Sequence, residues 1–439
     1  MFSFLILSII ARNSTLTVLE RVIKVGYLEI EETGVVHRFG SPKDDGSHVH
    51  ITVRNDSFWP RMLLHGDIGF SEAYMAGDIE FDSDDDLESV MNLWLENESR
   101  MTGLNSLFKR FSSAVSGLTI ALFGQTHTQA RLNAIASYDL SNELYKAFLS
   151  KEMMYSCALW NDQECDGICG GDGGVQDNHL LPPHVGFHEQ YAQLRKIHHV
   201  LRKARVKPGH RILEIGSGWG GLAIEVGSTE LWCEVDTLTL SIEQKKLAEE
   251  RIYEAGLQDL IRVHLMDYRE IPPNFEKKFD AFISIEMVEY YQSYFKIMDK
   301  ALKSRNAAAV ITCSSFPEAR YTGYQSEDFA RKYIWPNAYL PSATVLINAA
   351  NAASQGRLTV EGVENHASHY ARTIREWDRR FVKNVTPELL VKDLPSVAKD
   401  PETFEMFRRK WRYLFAYAAA GMERGWLACH MLTFTRAVS

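Results

Sequence analysis

The stretch Ile212-Leu213-Glu214-Ile215-Gly216-Ser217-Gly218-Trp219-Gly220 constrains this chain more than any other. Ile212 to Ile215 read as a short buried strand. Three glycines at alternate positions follow, and then Leu222-Ala223-Ile224 reads as the start of a helix. A strand that breaks into a glycine turn and re-enters a helix is the nucleotide-binding element of α/β folds. Glycine permits positive φ there and lets a ligand approach where a Cβ would block it. Taken alone, such a turn also occurs where nothing binds.

Two details narrow the ligand. The spacing Gly216-Ser217-Gly218-Trp219-Gly220 differs from the G-x-G-x-x-G of dinucleotide folds. Glu214 also stands two residues before the first glycine, where a carboxylate can reach a cation. S-adenosylmethionine carries a sulfonium and an ammonium and no phosphate. It therefore suits a turn that offers carboxylates and carbonyls better than one aimed at pyrophosphate. The stretch reads as the first motif of a class I methyltransferase.

The rest of the chain supports an enzyme of this size. Its 439 residues suffice for two or three domains, and 45% hydrophobic with 24% charged residues is ordinary for a globular protein. A net charge of -9 argues against nucleic acid as a partner. The six cysteines are scattered, which fits a reducing compartment. Cys165 and Cys169 lack a second pair at metal spacing, so a loop is expected there and no metal site. The apolar run Phe2 to Ala11 is too short to span a bilayer and has no basic flank, so it is expected to be a core or interfacial helix segment.

A helix is expected over 13–25, capped by Asn13 or Ser14, followed by short antiparallel strands around 26–30, 34–40 and 48–53. Residues 58–80 read as a helix and a turn. The acidic run from Asp82 to Glu88 reads as a solvated helix N-terminus leading into Leu87 to Leu95. These elements make a small α+β domain over 1–98. The stretch 99–128 reads as a linker, with Lys109 and Arg110 between Phe108 and Phe111. From 129 to 439 strands alternate with helices: strands at 212–215, 233–240, 261–265, 279–284 and 308–313, and a closing strand over 426–435. That pattern implies a parallel sheet with helices on both faces.

Several further motifs occur in series: Tyr138-Asp139-Leu140-Ser141-Asn142, Tyr155-Ser156-Cys157-Ala158, the glycine turn, Thr239-Leu240-Ser241-Ile242-Glu243-Gln244 and Ile285-Glu286-Met287-Val288-Glu289. Tyr333-Ile334-Trp335-Pro336 with Leu340-Pro341-Ser342 follow, and then His369-Tyr370-Ala371-Arg372-Thr373-Ile374 with Trp377. The series resembles the cyclopropane-fatty-acyl-phospholipid synthase family, which includes the mycolic acid cyclopropane synthases. Glu72-Ala73-Tyr74-Met75-Ala76-Gly77 resembles the small lipid-binding domain of its longer members. The resemblance spans about 26–439 and implies a seven-stranded, Rossmann-like class I methyltransferase domain. It also implies S-adenosylmethionine as methyl donor and an unsaturated phospholipid in a membrane as substrate, with a bicarbonate ion as base. The expected location is cytoplasmic and peripheral to the membrane, and a homodimer is a family expectation.

Carried over by motif, the resemblance assigns the bicarbonate pocket to Cys157, Glu289 and Tyr370, with backbone near Cys313. The cofactor set is Tyr138, Ser141, Glu214, Gly216, Gly218, Gly220, Thr239, Gln244, Asp267 and Tyr268, the last placed to stack on adenine. The sequence departs from the family pattern in having Ser137 before the Tyr-Asp pair, Ser217 between the glycines and Tyr290 after the motif glutamate. Thr312 aligns with a bicarbonate-binding histidine, and Tyr417 stands at a late cysteine position. Two alternatives stay open: a lipid C-methyltransferase that leaves a methyl or methylene branch, and a non-catalytic lipid-binding relative.

Overall fold

A computed structural model describes residues 2–42, 46–83, 85–100, 141–161, 188–229, 231–287, 291–335 and 338–436. The chain forms two compact units. One comprises Met1–Leu144, Thr322–Ala338 and Asp378–Arg424; the other comprises Tyr145–Tyr321, Tyr339–Trp377 and Gly425–Ser439.

The first unit begins with helix α1 (Phe2–Val22). The apolar run and the helix expected after it are thus one element. Asn13 is internal to it rather than a cap, its carbonyl accepting from Thr17 Oγ1 at 2.8 Å. Ser8, Ala11, Thr15, Leu19 and Val22 recur at helical spacing and are buried. Strands β1 (Tyr27–Glu32) and β2 (Val35–Gly40) form a hairpin through Thr33 and Gly34, both at positive φ, as a two-residue turn requires. β3 (His48–Val53) lies on the other side of β1 and runs parallel to it, so the expected all-antiparallel arrangement is corrected. The chain crosses over β1 after β2 instead of turning back beside β2, which places the third strand next to β1, the strand whose direction it shares.

Helix α2 (Phe58–Ala76), strand β4 (Ile79–Phe81) and helix α3 (Asp86–Glu96) complete the N-terminal part. The unit also includes the long helix Pro401–Glu423 and residues 322–338, which the sequence pattern groups with the later strands and helices. Arg409 Nη1 donates to Tyr74 O at 3.1 Å, and Phe70 meets Tyr413 at 6.5 Å between ring centroids. Glu72 joins these segments. Its carboxylate pairs with buried Arg61 at 3.2 Å and accepts from Lys332 Nζ and Tyr333 Oη, each at 2.7 Å. Desolvation pushes Glu72 up, but Lys332, Tyr333 and Arg61 outweigh it and leave the carboxyl below its usual range. Tyr417, at the position where the resemblance leads one to expect a late cysteine, donates to Asp328 at 3.3 Å in this unit.

The second unit is built on a seven-stranded sheet with spatial order β10-β11-β9-β8-β5-β6-β7. In chain order its elements are helix α4 (His188–Lys203), β5 (Arg211–Ile215), α5 (Gly221–Ser228), β6 (Glu234–Thr239), α6 (Ile242–Glu254) and β7 (Ile261–Leu265). There follow β8 (Ala281–Ile285), α7 (Tyr291–Ala301), β9 (Ala308–Ser315), α8 (Ala343–Ser354), β10 (Thr359–Asn365), α9 (Ala367–Asn384, in this unit as far as Trp377) and β11 (Ala428–Thr435). β5 to β9 pair in parallel, and β11 runs antiparallel to both β9 and β10.

Because side chains alternate along a strand, each face of the sheet builds its own core. Leu213, Phe282, Ala309 and Leu432 pack on one face with Tyr294, Phe295 and Met298 of α7. Ile212, Ala281, Ile283 and Val310 pack on the other with Ile197, Val200 and Leu201 of α4. β6 begins and ends one residue inside the expected span, and β7 matches it.

Glu72→Ala would leave Arg61 buried beside Asp78 with half its counter-charge gone. The expected loss is about 3–5 kcal/mol, read as a lower urea midpoint for the first unit's transition. An unchanged midpoint would show that the buried cluster is not a stability determinant.

Candidate active site

The parallel strands end along one edge of the sheet, where α/β folds bind ligands. β5 runs into Gly216, Gly218 and Gly220, whose φ values are 96°, 47° and 81°. The turn is closed from below, since Gly216 N and Ser217 N both donate to Leu238 O at 2.9 Å. A Cβ on Gly216 would lie 2.3 Å from Met287 Cγ, and one on Gly221 would lie 2.2 Å from Glu152 O, so both positions require glycine. Gly218 has open space above its Cα, which leaves the turn accessible.

An extended segment, residues 153–160, passes beside this turn and is held by α4 and α9. Gln193 Nε2 donates to Met154 O at 3.3 Å and Ser156 O at 3.0 Å, and buried Lys196 donates to Ser156 Oγ at 2.9 Å. From the other side, Thr373 Oγ1 accepts from Ala158 N and from Trp160 Nε1. Arg251 ties the start of the segment to the turn by donating to Lys151 O and Trp219 O.

Glu214 is buried at the end of β5, and its Oε2 has no hydrogen-bond partner among the described residues. Burial pushes its carboxyl up to about 8, against opposing contributions from Thr237 and Lys196. An orphaned carboxylate oxygen beside a glycine turn fits an ammonium group, and that is the observation on which the residues here suit S-adenosylmethionine.

The other expected cofactor residues are placed as follows. Thr239 Oγ1 donates to Gln244 Oε1 at 2.8 Å, so these two fix each other at the start of α6. Ser241 caps the same helix by accepting from Gln244 N. Leu240 projects from this turn and is 68% exposed, an apolar surface at the strand ends that the sequence did not single out. Asp267 is engaged by Arg269, through the backbone N at 2.8 Å and Nε at 2.9 Å. Tyr268 packs edge-on against Tyr294, ring centroids 5.2 Å apart. Ser141 accepts from Leu144 N at 3.2 Å, a local cap. Tyr138 and Glu289 lie outside the described residues, as do the loop at Cys165 and Cys169 and the basic-aromatic part of the linker.

Cys157 and Tyr370 come together around a residue to which the sequence reading gave no role. Glu286, the residue after β8, has φ 59°, a left-handed backbone that is unusual for glutamate. Its backbone N donates to Thr312 O at 2.9 Å, continuing the β8–β9 ladder by one step. One carboxylate oxygen accepts from Ser314 N at 2.8 Å and Ser314 Oγ at 2.9 Å, and the other faces Cys429 Sγ at 3.8 Å. Desolvation raises the Glu286 carboxyl, with Ser314, Lys196 and Cys429 opposing. Cys157 Sγ lies 3.6 Å from His366 O. Its hydrogen bond with Cys429, then burial, push the Cys429 thiol well up. Burial likewise lifts the Tyr370 hydroxyl, and the charges of Glu286, Cys429, Tyr155 and Cys157 add to the effect. All four described cysteines are free and buried.

One wall of this pocket is aromatic. Tyr155 stacks on Trp377 at 5.0 Å, Tyr370 meets Trp377 edge-on at 6.0 Å, and Tyr145 lies 5.2 Å from Tyr155 and 4.8 Å from Trp219 of the glycine turn. Electron-rich ring faces next to a carboxylate make a pocket suited to positive charge.

The sheet order, the glycine turn and the orphaned Glu214 define a class I S-adenosylmethionine-dependent methyltransferase. The sequence profile of the mycolic acid cyclopropane synthetase family matches residues 125–432, and the chain belongs to that family. It is 29% identical to the tuberculostearic acid methyltransferase UfaA1 of Mycobacterium tuberculosis over 389 residues, 87% of this chain and 82% of that protein. Against the cyclopropane-fatty-acyl-phospholipid synthase of Escherichia coli it is 28% identical over 400 residues, 89% of this chain and 88% of the relative. The cyclopropane synthase MmaA2 of Mycobacterium tuberculosis superposes with a TM-score of 0.53 at 19% identity, covering 70% of this chain and 98% of that one.

Glu214 also sets a pH signature. With its pKa raised to about 8 in the free protein, the carboxyl is mostly protonated near neutrality, so a cationic amine must displace a proton. Affinity for S-adenosylmethionine is therefore expected to rise between about pH 5 and pH 7, below the ordinary titration of an α-amino group. Calorimetry in buffers of different ionisation enthalpy should detect the released proton. Glu214→Gln should abolish that release and weaken binding by about 10- to 100-fold, the range for a hydrogen bond to a charged group. Proton release that survives in this variant would place the ammonium elsewhere.

Proposed function

We propose that this enzyme alkylates the cis double bond of an unsaturated acyl chain in a membrane phospholipid and closes the product to a cyclopropane. The observation that carries the reading is the pairing of an aromatic wall with the half-buried, Ser314-anchored carboxylate of Glu286. S-adenosylmethionine, when bound, supplies an electrophilic methyl on a sulfonium. An alkene is a weak nucleophile, so the chain's task is alignment, exclusion of water and tolerance of a cation.

In the proposed reaction the alkene π electrons form a carbon–carbon bond to the methyl as the carbon–sulfur bond breaks. S-adenosylhomocysteine leaves, and the neighbouring acyl carbon becomes cationic. Tyr155, Tyr370 and Trp377 present ring faces and edges to that charge. Removal of a proton from the new methyl then lets its C–H electron pair close the ring. Cys157 and Tyr370 line the pocket where the proton leaves, and Glu289 is proposed to act there too.

Bicarbonate, the base implied by the family resemblance, fits this pocket poorly. The carboxylate of Glu286 already holds the Ser314 donors, and a second anion beside it would be repelled. No step is therefore routed through bicarbonate.

A second product has specific support. The methyltransferase relative at 29% identity is named for tuberculostearic acid, which favours a branch-forming outcome of the same cation. The acceptor lipid is proposed to be reached from the cytoplasmic face by peripheral contact. Among the described residues no helix is long and apolar enough to cross a membrane.

Purified protein incubated with unsaturated phospholipid vesicles and S-adenosylmethionine should add one methylene to the acyl chain at the former alkene carbons. Mass spectrometry with double-bond mapping distinguishes the ring from a methylated chain that retains unsaturation. Absence of any mass gain, with cofactor binding intact, would contradict the reading. Glu289→Gln should lose product by about 100-fold or more, with cofactor affinity within a few-fold. Unaltered turnover would remove Glu289 from the mechanism.

A further inference from the structure

Glu286 is the one acidic side chain in the described residues that Ser314, Cys429 and Lys196 all bear on and that in turn acts on Tyr370. Three features separate it from a structural carboxylate. It has no salt bridge of its own among the described residues; Lys196, whose amine burial lowers to about 8, acts on it only as a nearby charge while donating to Ser156. It is held in a strained left-handed conformation although a glycine there would be free of strain. Its carboxylate is gripped at one oxygen by two donors from Ser314, leaving the other oxygen with only a long thiol contact at 3.8 Å. A carboxylate fixed at one end, weakly engaged at the other and set in an aromatic pocket is arranged to take a proton.

We propose that Glu286 is the base of the alkylation, so that the protein carries within its own chain the carboxylate that the family resemblance assigns to a bound bicarbonate. This rests on the alkylation reading given above. Once the methyl has joined the acyl carbon, the free oxygen of Glu286 takes a proton from it. The C–H electron pair forms the third ring bond and the cation is neutralised. The proton then rests on the carboxyl, whose raised affinity from desolvation makes it a competent acceptor. Cys429 and Tyr370 adjoin it. The acyl chain, S-adenosylhomocysteine and one proton account for all atoms and charge.

The test uses the full chain with vesicles of dioleoylphosphatidylglycerol, in buffer stripped of carbon dioxide and in buffer with added bicarbonate. The wild type should turn over equally in both. Glu286→Gln should lose product by about 100-fold or more while binding S-adenosylmethionine within a few-fold of wild type. Glu286→Gly relieves the positive φ, so folding is not at risk. It should be inactive in stripped buffer, recover with added bicarbonate, and bind isotopically labelled bicarbonate by NMR where the wild type does not. A wild type that needs bicarbonate, or an active Glu286→Gln, overturns the assignment while leaving the alkylation intact. A wild type that alkylates no acyl chain, yet binds cofactor, overturns the alkylation reading and the base together.

Discussion

The hydrogen-bond ladder between β8 and β9 is the constraint on which the site depends. Ile285 pairs with Thr312, and Glu286 N adds one more rung to Thr312 O before the chain leaves the sheet. That rung sets the height at which Glu286 turns, and so brings its carboxylate level with the backbone N of Ser314. On the neighbouring pair, β5 against β8 places Glu214 beside Ile283, two residues before the glycine turn. Two carboxylates are thereby delivered to the same sheet edge by backbone pairing alone. One has an orphaned oxygen suited to an ammonium; the other is anchored for a proton. Register is rigid because both faces of these strands are buried, and a slip of one residue would turn each side chain to the opposite face.

The segment 153–160 has no regular structure of its own, and its order comes from its neighbours. Gln193, Lys196 and Thr373 supply the hydrogen bonds that a strand partner would otherwise provide. This explains a buried lysine in α4: its ammonium satisfies Ser156 and places positive charge near Glu214 and Glu286 at once. The aromatic wall then links the two halves of the reaction, since Trp219 belongs to the cofactor turn and Tyr370 to the carboxylate pocket.

The alternation of strands and helices after residue 205 was legible because fully buried parallel strands read as short apolar runs between glycine-rich and charged segments. The glycine turn and Glu214 were legible for the same reason. In the sheet of the first unit the strand order differs from the expected meander: hydrophobic alternation reports which face is buried, and is blind to which strand lies beside which. Residues 378–424 belong with the first unit through helix contacts distant in sequence, which no local pattern encodes. In Ile285-Glu286-Met287-Val288-Glu289 the motif drew attention to the second glutamate. The first sits at the end of an apolar strand, where a charged residue ordinarily marks the exit to solvent. Only the positive φ and the Ser314 donors reveal it as inward-facing. Lys196 was hidden in the same way, as one basic residue among several on a polar helix.

The most direct test of this account is a crystal structure of the full chain with S-adenosylhomocysteine, grown in the presence of bicarbonate. The account predicts the ligand's ammonium against Glu214 above the glycine turn, and the Glu286 carboxylate on Ser314 with no separate anion between Cys157 and Tyr370. A planar anion on Ser314, with Glu286 turned away from it, would contradict the central claim that the protein supplies its own base.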